Sequence, residues 1–164
     1  MQPQVVKALR FIEAARAWPE HLGVGRPFDT DERLENYLAA AAYERAGDKG
    51  RAKMYYESVA ADTLKLEANS GASRYFGAVA MTRLDRRGEA ERLIQAWRTQ
   101  SPDCPIAAWA SARLAGDEKK AAGILAELEA SVPGYPWSLA RYDREFPVVL
   151  EFERLIGGAA NSAR

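Results

Sequence analysis

Apolar residues return along this chain at three- and four-residue intervals, and no stretch alternates long enough to make a strand, so helices are predicted throughout. Val5, Ala8, Leu9, Ile12 and Ala15 mark a first helix over about Val5 to Trp18, stopped by Pro19. Residues 20–30 have no period; with Gly23, Gly25 and Pro27 they read as an ordered loop in which the glycines allow positive φ and Leu22 and Phe28 are buried. Asp29 with Glu32 three residues later makes a capping-box-like start, with Thr30 as the alternative cap, for a helix over Asp31 to Ala46 ended by Gly47. Five further helices are predicted, over Lys49 to Leu66, Ala72 to Leu84, Gly88 to Thr99, Pro105 to Ala115 and Glu118 to Ser131. The cluster Pro133-Gly134-Tyr135-Pro136 breaks the pattern; a short turn over Trp137 to Tyr142 and a last helix over Pro147 to Ile156 follow, with Gly157 to Arg164 frayed.

The alternation hides a repeat. A tight turn is followed by a small residue, a large one four later and another apolar one three later: Gly47-Asp48 by Ala52, Tyr56 and Val59; Asp85-Arg86 by Ala90, Ile94 and Trp97; Gly116-Asp117 by Ala121, Leu125 and Leu128. The alanines lie 38 and 31 positions apart (52 to 90, 90 to 121). A small side chain there lets the two helices of a hairpin approach closely.

This grammar resembles the tetratricopeptide repeat (TPR), in which the first helix carries a small residue at its eighth position and an aromatic at its eleventh. Ala40 and Tyr43 take those places in the first full repeat, Ala78 and Met81 in the second, Trp109 and Ala112 in the third. Trp109, where a small residue is usual, predicts a splayed third hairpin. The resemblance implies an all-α fold: an α-α superhelix of TPR-like hairpins in one domain over 1–164, made of a half repeat (1–19), the loop (20–30), repeats over 31–66, 71–102 and 103–133, and a cap (134–158). Phe146, Val149, Leu150, Phe152 and Leu155 of the cap would cover the last hairpin. The half repeat reads as a sign of excision from a longer chain. A narrower segment, Trp18 to Pro27, is similar to one in bacterial proteins of unknown function that carry a mutarotase-like β-sandwich ahead of TPR-like helices. It implies a β-sandwich domain of the same parent chain as a partner.

Composition narrows the picture. The 164 residues include 31 Ala against 17 Val, Ile and Thr combined, the balance of an all-helical chain with a real core. Formal charge is zero, 23 bases against 23 acids, which argues against nucleic acid as a partner. The longest apolar run, Tyr37 to Tyr43, has seven residues, far short of a membrane span of about 20. One Cys and no signal-like start place the chain in the cytoplasm.

Little of the chain looks like catalytic equipment. His21 is the one histidine, so neither a hydrolase triad nor a histidine metal site can be assembled, and no cofactor is expected. Asp29, Asp31 and Glu32 sit where acids cap a helix start, Cys104 at another start reads as packing, and Gly23-Val24-Gly25-Arg26 lacks the strand and the Lys-Ser/Thr pair of a phosphate loop.

The residues that a TPR-like superhelix would turn to its concave surface are Tyr37 and Arg45, Tyr75 and Arg83, and Ile106 and Leu114 with Arg113 alongside. Tyr37, Arg45, Tyr75, Arg83 and Arg113 are thus the candidate binding residues, an Arg ladder with two tyrosines suited to carboxylates. Arg outnumbers Lys 17 to 6 throughout, so a solvated helix face is the plainer account of the ladder. The asparagines of the family's carboxylate clamp are missing; Leu38, Ala41, Phe76, Val79, Ala107 and Ala110 stand in those places. The expectation is a non-catalytic interaction or scaffolding module for a protein or peptide, serving a carbohydrate-related domain and leaving a homodimer open. The alternative is an enzyme or small-ligand binder using the same groove on an acidic peptide or sugar.

Overall fold

In the computed structural model, which describes residues 3–17, 31–65, 71–131 and 146–161, the chain is all-α, with no strand among the described residues. The helices are α1 (Pro3–Arg16), α2 (Arg33–Arg45), α3 (Lys49–Lys65), α4 (Arg74–Arg83, entered through a short 3-10 turn at Gly71–Ser73), α5 (Arg87–Gln100), α6 (Pro105–Ala115), α7 (Glu118–Ser131) and α8 (Phe146–Asn161). The sequence places α6 and α7 to the residue and most other ends within a residue or two. At the C-terminus it errs: Gly157 to Asn161, expected to fray, continue α8. The loop over 20–30, with Leu22 and Phe28, and the turn over 137–142 lie outside the described residues.

The hairpins α2–α3, α4–α5 and α6–α7 are closed by the same backbone device. In each, one residue just past the first helix takes a left-handed conformation: Gly47 at φ +80°, Asp85 at +59° and Gly116 at +76°. The N–H of the residue after it bonds back five positions (Asp48 to the Tyr43 carbonyl, Arg86 to that of Met81, Asp117 to that of Ala112, each at 2.9 Å). Its own N–H bonds back three, to the carbonyls of Glu44, Thr82 and Arg113. These two bonds are the Schellman termination, which satisfies the carbonyls a helix end leaves bare. Asp48 and Asp117 then start the second helix by accepting the N–H of Arg51 and Lys120, each at 3.0 Å.

Ala52, Ala90 and Ala121 are buried where the repeat grammar requires small residues, as are Tyr56, Val59, Ile94, Trp97 and Leu128; Leu125 is only half-buried. From α1 to α7 each helix packs on the next in the chain, and α2 with α4 and α4 with α6 also touch, so the first helices of the hairpins share a face. The approach of α4 to α3 is closest at Gly77, where the Thr63 side chain occupies the space a Cβ would need. Trp109, the bulky residue of the third hairpin, is buried. The indole packs on Tyr75 (ring centroids 5.0 Å apart) and edge-on against Phe146 (5.2 Å), while Ala107, Ala110 and Ala112 keep α6 thin. A cleft of about 250 Å³ remains beside it, between α6, α7 and α8.

Candidate functional site

The shared face of α2, α4 and α6 carries Tyr37, Tyr75 and Trp109, one ring per hairpin, and α8 lies on it. Phe146 at the start of α8 meets Trp109 of α6. Two turns on, Phe152 stands edge-on to both Tyr37 of α2 (4.6 Å) and Phe76 of α4 (5.0 Å). Phe146, Val149 and Phe152 are buried with Leu150, so the apolar stripe of α8 is spent on this face. The expected cap over the last hairpin is therefore a strap over three first helices, because its aromatics at positions 146 and 152 are spaced to reach from α6 to α2.

Between the rings sits a charged contact. Tyr75 donates its hydroxyl to Glu153 Oε1 at 2.9 Å, and the Arg113 guanidinium bonds the other Glu153 oxygen and also Glu118. Burial raises the Tyr75 hydroxyl's pKa far above its usual value, and the adjacent Glu153 carboxylate raises it further, so Tyr75 acts here as a donor and not as an acid. Burial works against the Arg113 cation, yet Glu153 outweighs it and holds Arg113 firmly protonated. Arg113, a candidate binding residue of the sequence, pairs here with Glu153 and Glu118 of its own chain.

The other candidates are dispersed. Tyr37 and Tyr75 are 1% and 4% exposed, so neither offers ring surface to solvent. Arg83 is half-exposed, with Glu44 at 3.8 Å, and the Tyr56 hydroxyl donates to Glu44 at 3.0 Å. Arg45 is exposed in the last turn of α2, and among the described residues it forms no ion pair. Ile106 is buried and Leu114 half-buried, so the ladder breaks at the third rung except for Arg113. Sequence reasoning missed Glu153, and it placed Phe152 on the cap but read the stripe Phe146, Val149, Leu150, Phe152 as a cover for the last hairpin alone.

The acids at the α2 start have a structural role. Asp31 accepts the Arg33 N–H at 3.1 Å, then Arg33 Nε at 2.8 Å and Nη2 at 2.6 Å. Arg33, 2% exposed, reaches on to Thr63 Oγ1 at 3.4 Å. Burial pushes the Asp31 carboxyl upward, but the bonds from Arg33 prevail and hold it below the ordinary value. Asp29 of the expected capping box, and His21, lie outside the described residues; Glu32 makes no side-chain capping bond. No group of three metal-ligating side chains occurs among the described residues. Cys104 is a half-buried free thiol at the α6 start. No helix among the described residues is long and apolar enough to cross a membrane. Comparison with family models, with curated proteins and with solved structures finds no match for the chain.

Proposed function

We propose that this chain is a non-catalytic protein-interaction module of TPR-like hairpins, and that it recognises its partner on the shared face of α2, α4 and α6. One observation carries the reading: that face already holds an amphipathic helix, α8, by aromatic edges (Phe152 on Tyr37 and Phe76) and by a carboxylate between Tyr75 and Arg113. Seating apolar residues three and four apart in a helix-lined groove, with a charged pair fixing the register, is how such surfaces recognise helical ligands. The acids at the α2 start support a binding role over a catalytic one, since Asp31 is spent on Arg33. The likeness of Trp18 to Pro27 to a segment found beside mutarotase-like β-sandwiches supports a carbohydrate-related domain as the associate being scaffolded.

The test is site-directed photo-crosslinking of the chain in lysate, with the crosslinking residue at position 83 on the shared face or at position 95 on the exposed side of α5. Protein adducts are expected from position 83. Adducts from position 95 alone would place recognition elsewhere.

A further inference from the structure

We propose that Tyr37 and Arg83 form a second carboxylate receptor, one hairpin before the Tyr75–Arg113 receptor that holds Glu153, and that the partner helix carries two carboxylates one to two turns apart. The inference rests on the interaction-face reading above and sharpens it to an acidic amphipathic helix. In the filled receptor, a tyrosine hydroxyl from one first helix (α4) and a guanidinium from the last turn of the next first helix (α6) converge on one carboxylate. Tyr37 of α2 and Arg83, in the last turn of α4, stand in the same relation one hairpin earlier. There the hydroxyl is fully buried beside the Arg83 guanidinium, which has no acceptor to offer, so its proton is left for an incoming carboxylate. Arg83 has Glu44 at 3.8 Å, beyond hydrogen-bond range, and Glu44 is drawn the other way by the Tyr56 hydroxyl. The adjoining cleft, about 460 Å³, is lined by Lys49, Lys53 and Arg83 against Glu44 and Asp85, and Lys53 also pairs with Glu57 at 3.8 Å.

The resident helix fills one receptor and not the other. α8 runs from Trp109 of α6 toward Tyr37 of α2, so the residues after Glu153 continue toward the Tyr37–Arg83 end. α8 crosses from α6 to α2 between Phe146 and Phe152, and packed helices about 8–10 Å apart are spanned by at most about six or seven residues rising 1.5 Å each, so a second carboxylate belongs one to two turns beyond the first. On one helical face that is position 160, with position 157 a turn short; the chain has Ala160 and Gly157 there, neither with a polar side chain. A partner helix with an acid at that place makes every contact α8 makes and satisfies the buried hydroxyl as well. It therefore displaces α8, which serves as a placeholder.

The experiment uses the full chain, with α8 itself as the probe. Glu is compared with Gln at position 160 and at position 157, each with native Arg83 and with Arg83→Gln, by thermal unfolding at low and moderate salt. At one of the two positions Glu should raise the midpoint over Gln by about 2–4 °C, the shift one charge-assisted bond gives a domain of this size. The gain should disappear with Arg83→Gln and shrink with salt. Equal midpoints at both positions, or a gain that survives Arg83→Gln, would overturn the second receptor. A parallel cycle of Glu153→Gln with Arg113→Gln separates the two readings. Coupling between 153 and 113 is expected, and its absence would overturn the interaction face itself and the second receptor with it.

Discussion

Arg33 shows how one residue ties three helices together. Its guanidinium is buried at the start of α2, and two donors are met by Asp31 and a third by Thr63, which also donates to the Val59 carbonyl at 2.8 Å and fills the space beside Gly77 of α4. A buried guanidinium is tolerable only while its donors are satisfied. Asp31→Asn is therefore expected to cost about 1–3 kcal/mol at neutral pH, measured by denaturant unfolding, because one charged acceptor is lost while the cation stays buried. The native Asp31 pKa lies below its ordinary value of 3.8, so its contribution is complete above that value and is lost as the pH falls through the lowered one. The difference between wild type and Asp31→Asn should accordingly narrow in strong acid and stay constant from pH 5 upward. The sequence marked Asp31 as a capping acid, and it does bond the Arg33 N–H. It could not show the buried Arg–Thr leg, because Thr63 is thirty residues away and nothing local demands the contact.

The hairpin is the unit that the sequence specifies best. Its turn needs a left-handed residue, supplied by Gly47 and Gly116 without strain and by Asp85, whose short polar side chain tolerates that region. Its crossing needs a small residue, supplied by Ala52, Ala90 and Ala121 at 3%, 0% and 2% exposure. Enlarging any of the three to Leu should cost about 1–3 kcal/mol through overpacking, read as a fall in thermal midpoint. An undiminished midpoint in all three variants would break the repeat alignment. Where the pattern departs from small residues, at Trp109, the ring occupies a slot between Tyr75 and Phe146. Neither partner lies in the same hairpin as Trp109, so hairpin-level reasoning could not see the slot.

At the scale of the molecule, α8 is the exception to neighbour-on-neighbour packing. Every other described helix rests mainly on the helices next to it in the chain, whereas α8 reaches α2, α4 and α6 together. Phe152 is its main anchor, 1% exposed between Tyr37 and Phe76. Phe152→Ala should destabilise the chain by about 3–5 kcal/mol if the fold stays two-state. In that variant amide exchange should rise in α8 and in α2 around Tyr37, while α7, which shares neither contact, keeps its protection. Equal loss of protection across α7 and α8 would show a single cooperative block in which α8 cannot leave without global unfolding.

The sequence alone determined the helices, the hairpin turns and the small residues at the crossings, because each is set by interactions within a few residues or one hairpin: the 3.6-residue period, the left-handed turn position, the missing side-chain bulk. It also put Tyr37 and Tyr75 at equivalent positions of successive hairpins, but it assigned Trp109, the third ring of the shared face, to a hairpin crossing. Only the tertiary structure decided what that face does with them. Whether Tyr37 and Tyr75 stand open or covered depends on where a helix 71 or more residues later comes to rest (75 to 146), and that is fixed by the joint fit of Phe146, Phe152 and Glu153 to three separate helices. No local preference encodes such a fit, because its free energy exists only once all three hairpins are stacked.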